Sequence, residues 1–142
     1  MRRIEKILVD ADAFVALAKG DDAIHEKAKR VLIRLLREHV VFLASNYVFA
    51  EAVTVLSKRA GKSIASAFIK AMKEETSTIE WIWVDRALER TAIDVFEEQT
   101  SKNVSFVDCT NIALARREGV DAVFSFDAVY RKNNVKTAEE FS

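Results

Sequence analysis

Two patterns of hydrophobic positions alternate along this chain. Short runs rich in apolar and β-branched residues predict buried strands. These runs are "IEKILVD", "VVFLAS", "TIEWIWVD", "DAVFSFD" and, as a short closing strand or arm, "NVKTAEEF". Between them apolar residues recur every three or four positions, which predicts amphipathic helices. Strands separated by helices indicate an α/β fold with three layers, α/β/α, and a mostly parallel central sheet of four to five strands.

Polar residues and glycines mark where the predicted helices begin and end. Ser45 or Asn46 is placed to cap a helix that ends at Gly61, and Asp85 to cap the helix after the third strand. The helix in "SFVDCTNIALARREG" ends at Gly119. Ligands of parallel sheets bind beyond the carboxyl ends of the strands, so the segments that follow the strands are the first places to look for a site.

Composition narrows the class of protein. The chain has 142 residues, 50% of them hydrophobic, and its 22 basic residues balance its 22 acidic ones. These values predict one globular domain over residues 1–142, with no overall positive field. A single cysteine, Cys109, excludes an internal disulfide or a multi-cysteine metal site and is typical of a reducing compartment. Acidic residues interrupt the apolar N-terminal run, so we expect no export signal, no membrane span and a cytoplasmic location.

Four carboxylates stand at positions that the hydrophobic pattern does not explain. Asp10 and Asp127 end the first and fourth predicted strands, and Asp108 lies in the first turn of its helix. Glu51 is the one charged residue in "YVFAEAVTVL". Each alone has a structural explanation, because an aspartate stabilises a helix N-terminus and Glu51 can belong to a polar helix face. That face would comprise Tyr47, Glu51, Thr54 and Lys58.

Together these acids suggest a metal site. All four can meet at the carboxyl edge of one sheet, where they would repel one another and raise each other's pKa values. A bound divalent cation removes that conflict, and a ligand set of oxygens alone favours Mg²⁺ or Mn²⁺ over zinc. The two histidines, His25 and His39, are expected at the surface.

The same motifs resemble those of the PIN domain family, metal-dependent ribonucleases that include the VapC-type toxins. The resemblance covers nearly the whole chain, through "ILVDADAFVAL", "NYVFAEAVTVL", "SFVDCTNIALA" and "VFSFDAVY" in the family's order. Asp10, Glu51, Asp108 and Asp127 match its acidic positions. Ser125 matches a small hydroxyl residue of the family, and Tyr130 a common aromatic. Where the family usually has Asn, Ser or Thr, this chain has Asp12.

The resemblance implies cleavage of single-stranded RNA by a metal-activated water. The metal, Mg²⁺ or Mn²⁺, would be held by Asp10, Asp108, Asp127 and Glu51, which form the catalytic set. Asp12, Asn111 and Ser125 would support that set without binding the metal, and Asp12 would also cap the first helix. The implied partners of such a toxin are an antitoxin and a second copy of the chain, with the helices Tyr47–Leu56 and Ile64–Met72 as possible contact surfaces.

Basic residues offer only a weak indication of where RNA binds. The candidates are Lys58, Arg59, Arg116 and Arg131. A basic stripe on the second helix is more typical of a solvated face. It consists of Lys27, Arg30, Arg34 and Arg37. No spaced set of aromatic residues predicts base stacking.

Other functions fit parts of the same pattern. A housekeeping RNA-processing nuclease of the family would carry the same acids, and a degenerate member would bind RNA without cutting it. "LVDADAFV" also looks like the signature of haloacid dehalogenase-like phosphatases, in which Asp10 is the nucleophile and Asp12 the acid/base. Those enzymes need a later acidic pair, whereas "VFSFDAVY" offers Asp127 alone.

Overall fold

A parallel β-sheet forms the centre of the protein. The computed structural model describes residues 3–74 and 78–141. Within them four strands pair in parallel in the order β3-β2-β1-β4. The strands are β1 (Lys6–Val9), β2 (Val41–Ser45), β3 (Ile79–Ile82) and β4 (Ala122–Phe124). Leu8 of β1 lies opposite Leu43 on one side and Val123 on the other, so the sheet is apolar through its middle.

Helices cover both faces of this sheet. They are α1 (Ala11–Ala18), α2 (His25–Arg37), α3 (Asn46–Ala60), α4 (Lys62–Lys73), α5 (Arg86–Glu98), α6 (Phe106–Glu118) and the short α7 (Val129–Lys132). Alternate strand residues point to opposite faces. Ile7 and Val9 pack with α1 to α4 in one core cluster, and Leu8 packs with α5 to α7 in another. The predicted three-layer α/β/α fold is therefore confirmed.

The helix boundaries follow the capping residues that the sequence indicates. Ser45 caps α3 by accepting a hydrogen bond from the Val48 N–H, and Asp85 caps α5 through the Leu88 N–H. Gly119 ends α6 in the left-handed conformation, at φ 62°, which glycine adopts without a steric cost. These local signals set the position at which each helix starts relative to the sheet edge.

The C-terminal part of the fold departs from the sequence prediction. β4 ends at Phe124, so Asp127 does not end the strand but lies three residues beyond it. The segment "NVKTAEEF" makes one parallel bridge, between Val123 and Thr137, and then a 3₁₀ turn over Ala138–Phe141. It is an arm rather than a fifth strand in the described residues.

Two smaller expectations have mixed outcomes. His39 is exposed, whereas His25 is half-buried and its Nδ1 lies 2.7 Å from the carbonyl oxygen of Ala16, which ties α2 to α1. The His25 ring is therefore a structural contact rather than a free surface group. No helix in the part of the chain described by the structure combines the length and apolar character that a bilayer crossing needs.

Candidate active site

Acidic side chains from four elements meet at the carboxyl edge of the sheet. Asp10 follows β1, Asp127 follows β4, Asp108 lies in the first turn of α6, and Glu51 lies in the second turn of α3. Electrostatic interactions link them, because Asp108 raises the pKa of Asp10 and Asp127 raises that of Asp108. Asp10 and Asp108 together raise the pKa of Glu51. The structure therefore brings together the four acids that the sequence singled out, and adds Asp12 to them.

Asp10 is the most constrained of these acids. Its side chain is buried, with Oδ1 accepting hydrogen bonds from the Ala11 N–H at 2.7 Å and from Asn111 Nδ2 at 3.0 Å. Oδ2 accepts a 2.6 Å hydrogen bond from the hydroxyl of Tyr130. Burial, followed by repulsion from Asp12, raises the pKa of Asp10 to about 7, although the Tyr130 hydrogen bond opposes the rise. Asp10 is thus held in one orientation, in surroundings that disfavour its ionised form.

The helix-capping role predicted for Asp12 is wrong, whereas its supporting role at the site stays a prediction. Asp10, not Asp12, is the N-cap residue of α1. Asp12 Oδ2 instead accepts hydrogen bonds from the Ser125 hydroxyl at 3.0 Å and from the Phe126 N–H at 2.8 Å, across 113 and 114 residues of sequence. Burial raises the pKa of Asp12 to about 6. Asp12 therefore connects α1 to the segment that carries Asp127.

The remaining two aspartates each use one oxygen within the protein. Asp108 and Ser105 form a reciprocal capping box at the start of α6, with Asp108 Oδ2 accepting from the Ser105 N–H at 3.0 Å. Asp127 Oδ1 accepts from the Val129 N–H at 2.9 Å, and the Asp127 N–H donates to Ser125 Oγ at 3.1 Å. Burial and the nearby Asp127 raise the pKa of Asp108. Backbone donors thus orient both carboxylates while their second oxygens accept no hydrogen bond from the described residues.

Glu51 is not part of a uniformly solvent-exposed polar face of α3. Burial, and then Asp10 and Asp108, raise its pKa. Lys58 and Thr54 on the same predicted face are exposed, and Tyr47 is held by a hydrogen bond from its hydroxyl to Glu89. Glu51 therefore differs from the residues on either side of it along the helix, because its surroundings are the other acids.

The chemistry of this cluster suits a divalent cation, although its present geometry does not enclose one. Asp12 Oδ1 and Asn111 Oδ1 are buried without a hydrogen-bond partner, and the acids destabilise one another's charged forms. Yet no group of three or more His, Cys, Asp or Glu in the described residues is arranged to hold a metal ion. Each aspartate has at least one oxygen engaged by a hydrogen bond within the protein. The oxygens of Glu51, Asp108 and Asp127 that remain could turn toward a cation. Asp10 Oδ2 accepts one hydrogen bond, from Tyr130, and keeps a second lone pair for the same cation.

Three of the four predicted RNA-binding cations lie away from this edge. Lys58 stands seven residues after Glu51 along α3, and Arg116 eight after Asp108 along α6, or about 10–12 Å at 1.5 Å per residue. Arg59 is exposed beside Lys58. Arg131 is engaged by Thr137, Glu139 and Glu140. The structure therefore does not bring Lys58, Arg59 or Arg116 to the acids, and it engages Arg131 in other contacts.

The basic stripe on α2 is a surface face with internal ion pairs. Lys27 pairs with Glu139 at 2.7 Å and Arg34 with Glu38 at 3.3 Å. A contact that sequence reasoning missed is the pairing of Gln99 with Asn133, whose amides bond each other in both directions. No sequence signal identifies such a pair, because the two residues are 34 positions apart.

Comparisons with known proteins agree with this architecture. The sequence model described as "PIN domain" matches residues 7–136. Two curated relatives, from Mycobacterium tuberculosis strains CDC 1551 / Oshkosh and ATCC 25618 / H37Rv, are each named 23S rRNA-specific endonuclease VapC20. Both are 31% identical over 121 residues, which is 85% of this chain and 88% of theirs. The crystal structure of M. tuberculosis VapC20, described as a sarcin-ricin loop cleaving toxin, superposes with a TM-score of 0.80 at 28% identity, covering 91% of this chain and 95% of that one.

Proposed function

This chain belongs to the PIN domain family, and from that premise we propose that it is a metal-dependent endoribonuclease, the toxin of a toxin–antitoxin pair. The observation that carries the proposal is the meeting of five carboxylates at one sheet edge, with Asp10 fixed by Tyr130 and Asn111. Burying acids that raise one another's pKa destabilises a fold unless a ligand compensates for their negative charge. The relatives named as endonucleases support the same reaction class.

The residues divide into those that would hold the cation and those that orient them. Asp10, Asp108, Asp127 and Glu51 would hold Mg²⁺ or Mn²⁺, the hard cations that suit carboxylate oxygens. A bound cation would lower the pKa of a water molecule and offset negative charge at the scissile phosphate.

Four further side chains would keep the acids in place. Tyr130 and Asn111 hold Asp10, while Asp12 and Ser125 hold the segment that carries Asp127. Glu51 receives no hydrogen bond from the described residues, and so is the carboxylate best placed to take a proton from the attacking water.

The substrate is proposed from the relatives and from the form of the site. The relatives' names specify 23S rRNA and its sarcin-ricin loop. The acid cluster is at the open edge of the sheet, where a single strand or an extended loop can place one phosphate against several carboxylates. We therefore propose unpaired RNA as the substrate, with a loop of ribosomal RNA as the first sequence to try.

A cleavage assay tests the proposal directly. End-labelled single-stranded RNA and a sarcin-ricin stem-loop would be incubated with wild type, Asp10→Asn and Asp108→Asn, with Mg²⁺, with Mn²⁺ and with a chelator. We expect metal-dependent cuts that leave a 5′-phosphate, and none from either variant. Cuts of equal extent by the variants, or in the chelator, would refute the assignment of the acids.

Regulation by an antitoxin is proposed from an apolar groove. The groove, about 500 Å³ in volume, lies between α1, α2 and α4 and is lined by Leu17, Leu36, Ile64, Ala67 and Met72 among others. Its α4 wall belongs to one of the two surfaces expected from the sequence. The product of an adjacent reading frame should co-purify with the chain and suppress cleavage, whereas Ile64→Glu should release it. Homodimer formation stays a prediction, to be measured by light scattering.

A housekeeping nuclease and an RNA-binding module are the alternatives within the family. Induced expression in a bacterial host separates them, because a toxin arrests growth through Asp108, a processing enzyme does not, and a binding module acts equally with Asp108→Asn. The phosphatase interpretation has no support from the family match.

A further inference from the structure

A polar cavity of about 330 Å³ lies beside Asp127, between the C-terminal end of α5 and α7. We call it the Gln99–Asn133 cavity; its lining includes Glu98, Gln99, Thr100, Asp127, Lys132 and Asn133. The volume falls within the roughly 300–1,000 Å³ of small-ligand sites. Because Asp127 belongs to the acid cluster, a group that fills the cavity lies next to the candidate cleavage site.

One wall of the cavity is a fixed pair of amides. Gln99 Nε2 donates to Asn133 Oδ1 at 3.0 Å and to the Val95 carbonyl at 3.0 Å. Asn133 Nδ2 donates to Gln99 Oε1 at 3.1 Å and to the Val129 carbonyl at 2.9 Å. The two carbonyls settle which end of each amide is nitrogen. All four amide hydrogens are therefore used, and the pair can only accept further hydrogen bonds.

The charged residues of the cavity extend this bias toward acceptors. Glu98 and Asp127 contribute carboxylates, which add hydrogen-bond acceptors and negative charge to the lining. Lys132 is its one cation among the described residues, and no carboxylate there pairs with it, whereas the neighbouring Arg131 is bound by Glu139 and Glu140. Such a lining fits a ligand that presents hydroxyl and amino hydrogens to the walls and a single negative charge to Lys132.

A ribonucleoside within an RNA strand has these properties, since its 2′-hydroxyl and base amino groups donate and its phosphate carries the charge. We propose that the Gln99–Asn133 cavity receives a nucleoside adjoining the scissile phosphate, with Lys132 contacting the phosphate on its far side. The proposal rests on the proposed function and names how its substrate is held. An apolar ligand is disfavoured because it would leave the polar groups of the lining without hydrogen-bond partners.

Filling the cavity tests the steric part of the proposal. Thr100 is exposed and lines the cavity, so Thr100→Trp would occupy it, and the exposed Thr91 on α5 gives Thr91→Trp as a matched control outside it. We expect Thr100→Trp to raise KM for RNA about tenfold with little change in kcat, because the bound substrate and the transition state lose the same binding energy. Equal KM values for the two tryptophan variants would overturn the proposal, provided thermal unfolding shows both folded.

Removal of single 2′-hydroxyls tests the chemical part. Because water attacks in the proposed reaction, a 2′-deoxy nucleotide beside the cut changes binding rather than chemistry. We expect 2′-deoxy substitution on one side of the cut to raise KM several-fold in the wild type. It should have no added effect in Thr100→Trp, because both changes remove the same contact and their effects then do not add. A deoxy effect that is absent, or that persists in Thr100→Trp, would overturn the proposal.

Lys132 provides an independent electrostatic test. Lys132→Ala should weaken RNA binding and reduce the slope of log affinity against log salt by about 1. Lys102→Ala, in the exposed segment after α5 but outside the cavity lining, should leave that slope unchanged. Dissociation constants by fluorescence anisotropy in the Asp108→Asn background give this result without cleavage. If the wild type cuts no RNA, the proposed function fails, but the same binding measurements still decide whether the cavity takes RNA. Identical salt slopes for Lys132→Ala and the chain with Lys132 intact would reject binding of RNA at the cavity.

Discussion

The hydroxyl of Tyr130 donates a 2.6 Å hydrogen bond to Asp10, a residue 120 positions away in the sequence. Tyr130 is fully buried, and its oxygen also accepts from Asn111 Nδ2 at 3.0 Å. Asn111 in turn donates to Asp10, so the three side chains form a closed triangle of hydrogen bonds. The triangle joins α7, α6 and the end of β1, and it fixes the carboxylate at the centre of the acid cluster.

Replacing Tyr130 by Phe should impair activity through Asp10. We expect Tyr130→Phe to lower kcat/KM by roughly 10- to 100-fold, as is typical when a residue that orients a metal ligand is lost. The acid limb of the pH profile should move to higher pH, because the lost hydrogen bond stabilises the ionised form of Asp10 and so lowers its pKa. Tyr47→Phe is the control, since the Tyr47 hydroxyl bonds Glu89 instead. An unchanged pH profile in Tyr130→Phe would contradict the assignment.

Two substitutions of Asp12 separate its hydrogen bonds from its charge. The amide oxygen of Asp12→Asn can still accept from Ser125 and Phe126, whereas Asp12→Ala leaves both donors unpaired. We expect Asp12→Ala to lower the free energy of unfolding by about 1–3 kcal/mol and to reduce cleavage, and Asp12→Asn to retain both. Urea denaturation and the cleavage assay measure the two effects. Equal losses in the two variants would show that the charge of Asp12 is what matters.

Stability without metal should fall as pH rises. The folded pKa values of Asp10 and Asp12, about 7 and about 6, lie above the ordinary 3.8. Between pH 4 and 7 the folded state therefore binds more protons than the unfolded state, so the free energy of unfolding decreases with rising pH, by an amount on the order of several kcal/mol.

Urea denaturation in a chelator at pH 5.5 and pH 8 checks this, and Mg²⁺ should restore stability at pH 8 by binding the folded state. A rising stability between these two pH values in the chelator would contradict the raised pKa values of Asp10 and Asp12.

Asp108→Asn should remove activity and leave the fold intact. The substituted amide oxygen can still accept from the Ser105 N–H, so the capping box is kept in part. Cleavage should fall by more than the roughly 100-fold typical of residues that only support a metal ligand. Calorimetric titration should show weaker Mg²⁺ binding, with the exposed Asp94→Asn on α5 as the control. Unchanged Mg²⁺ affinity would remove Asp108 from the proposed ligands.

Most of the fold was predictable because its signals are local. Ser45, Asp85 and Gly119 each mark a helix boundary by a hydrogen bond or a backbone angle within a few residues. Short apolar runs identify the strands, but they predict β4 too long because "VFSFD" continues the alternation after pairing stops at Phe124. Pairing depends on the neighbouring strand, which no local pattern specifies.

By itself the sequence determined the order of strands and helices, and it identified the acids as out of place, because period and capping are properties of neighbouring residues. Only the tertiary structure decided what Asp10 and Asp12 do. Both follow β1 in one motif, yet Asp10 caps α1 and accepts from Tyr130, while Asp12 reaches Ser125 and Phe126 beyond β4. Those partners lie more than 110 residues away in sequence, and parallel pairing of β1 with β4 is what brings them within hydrogen-bonding distance.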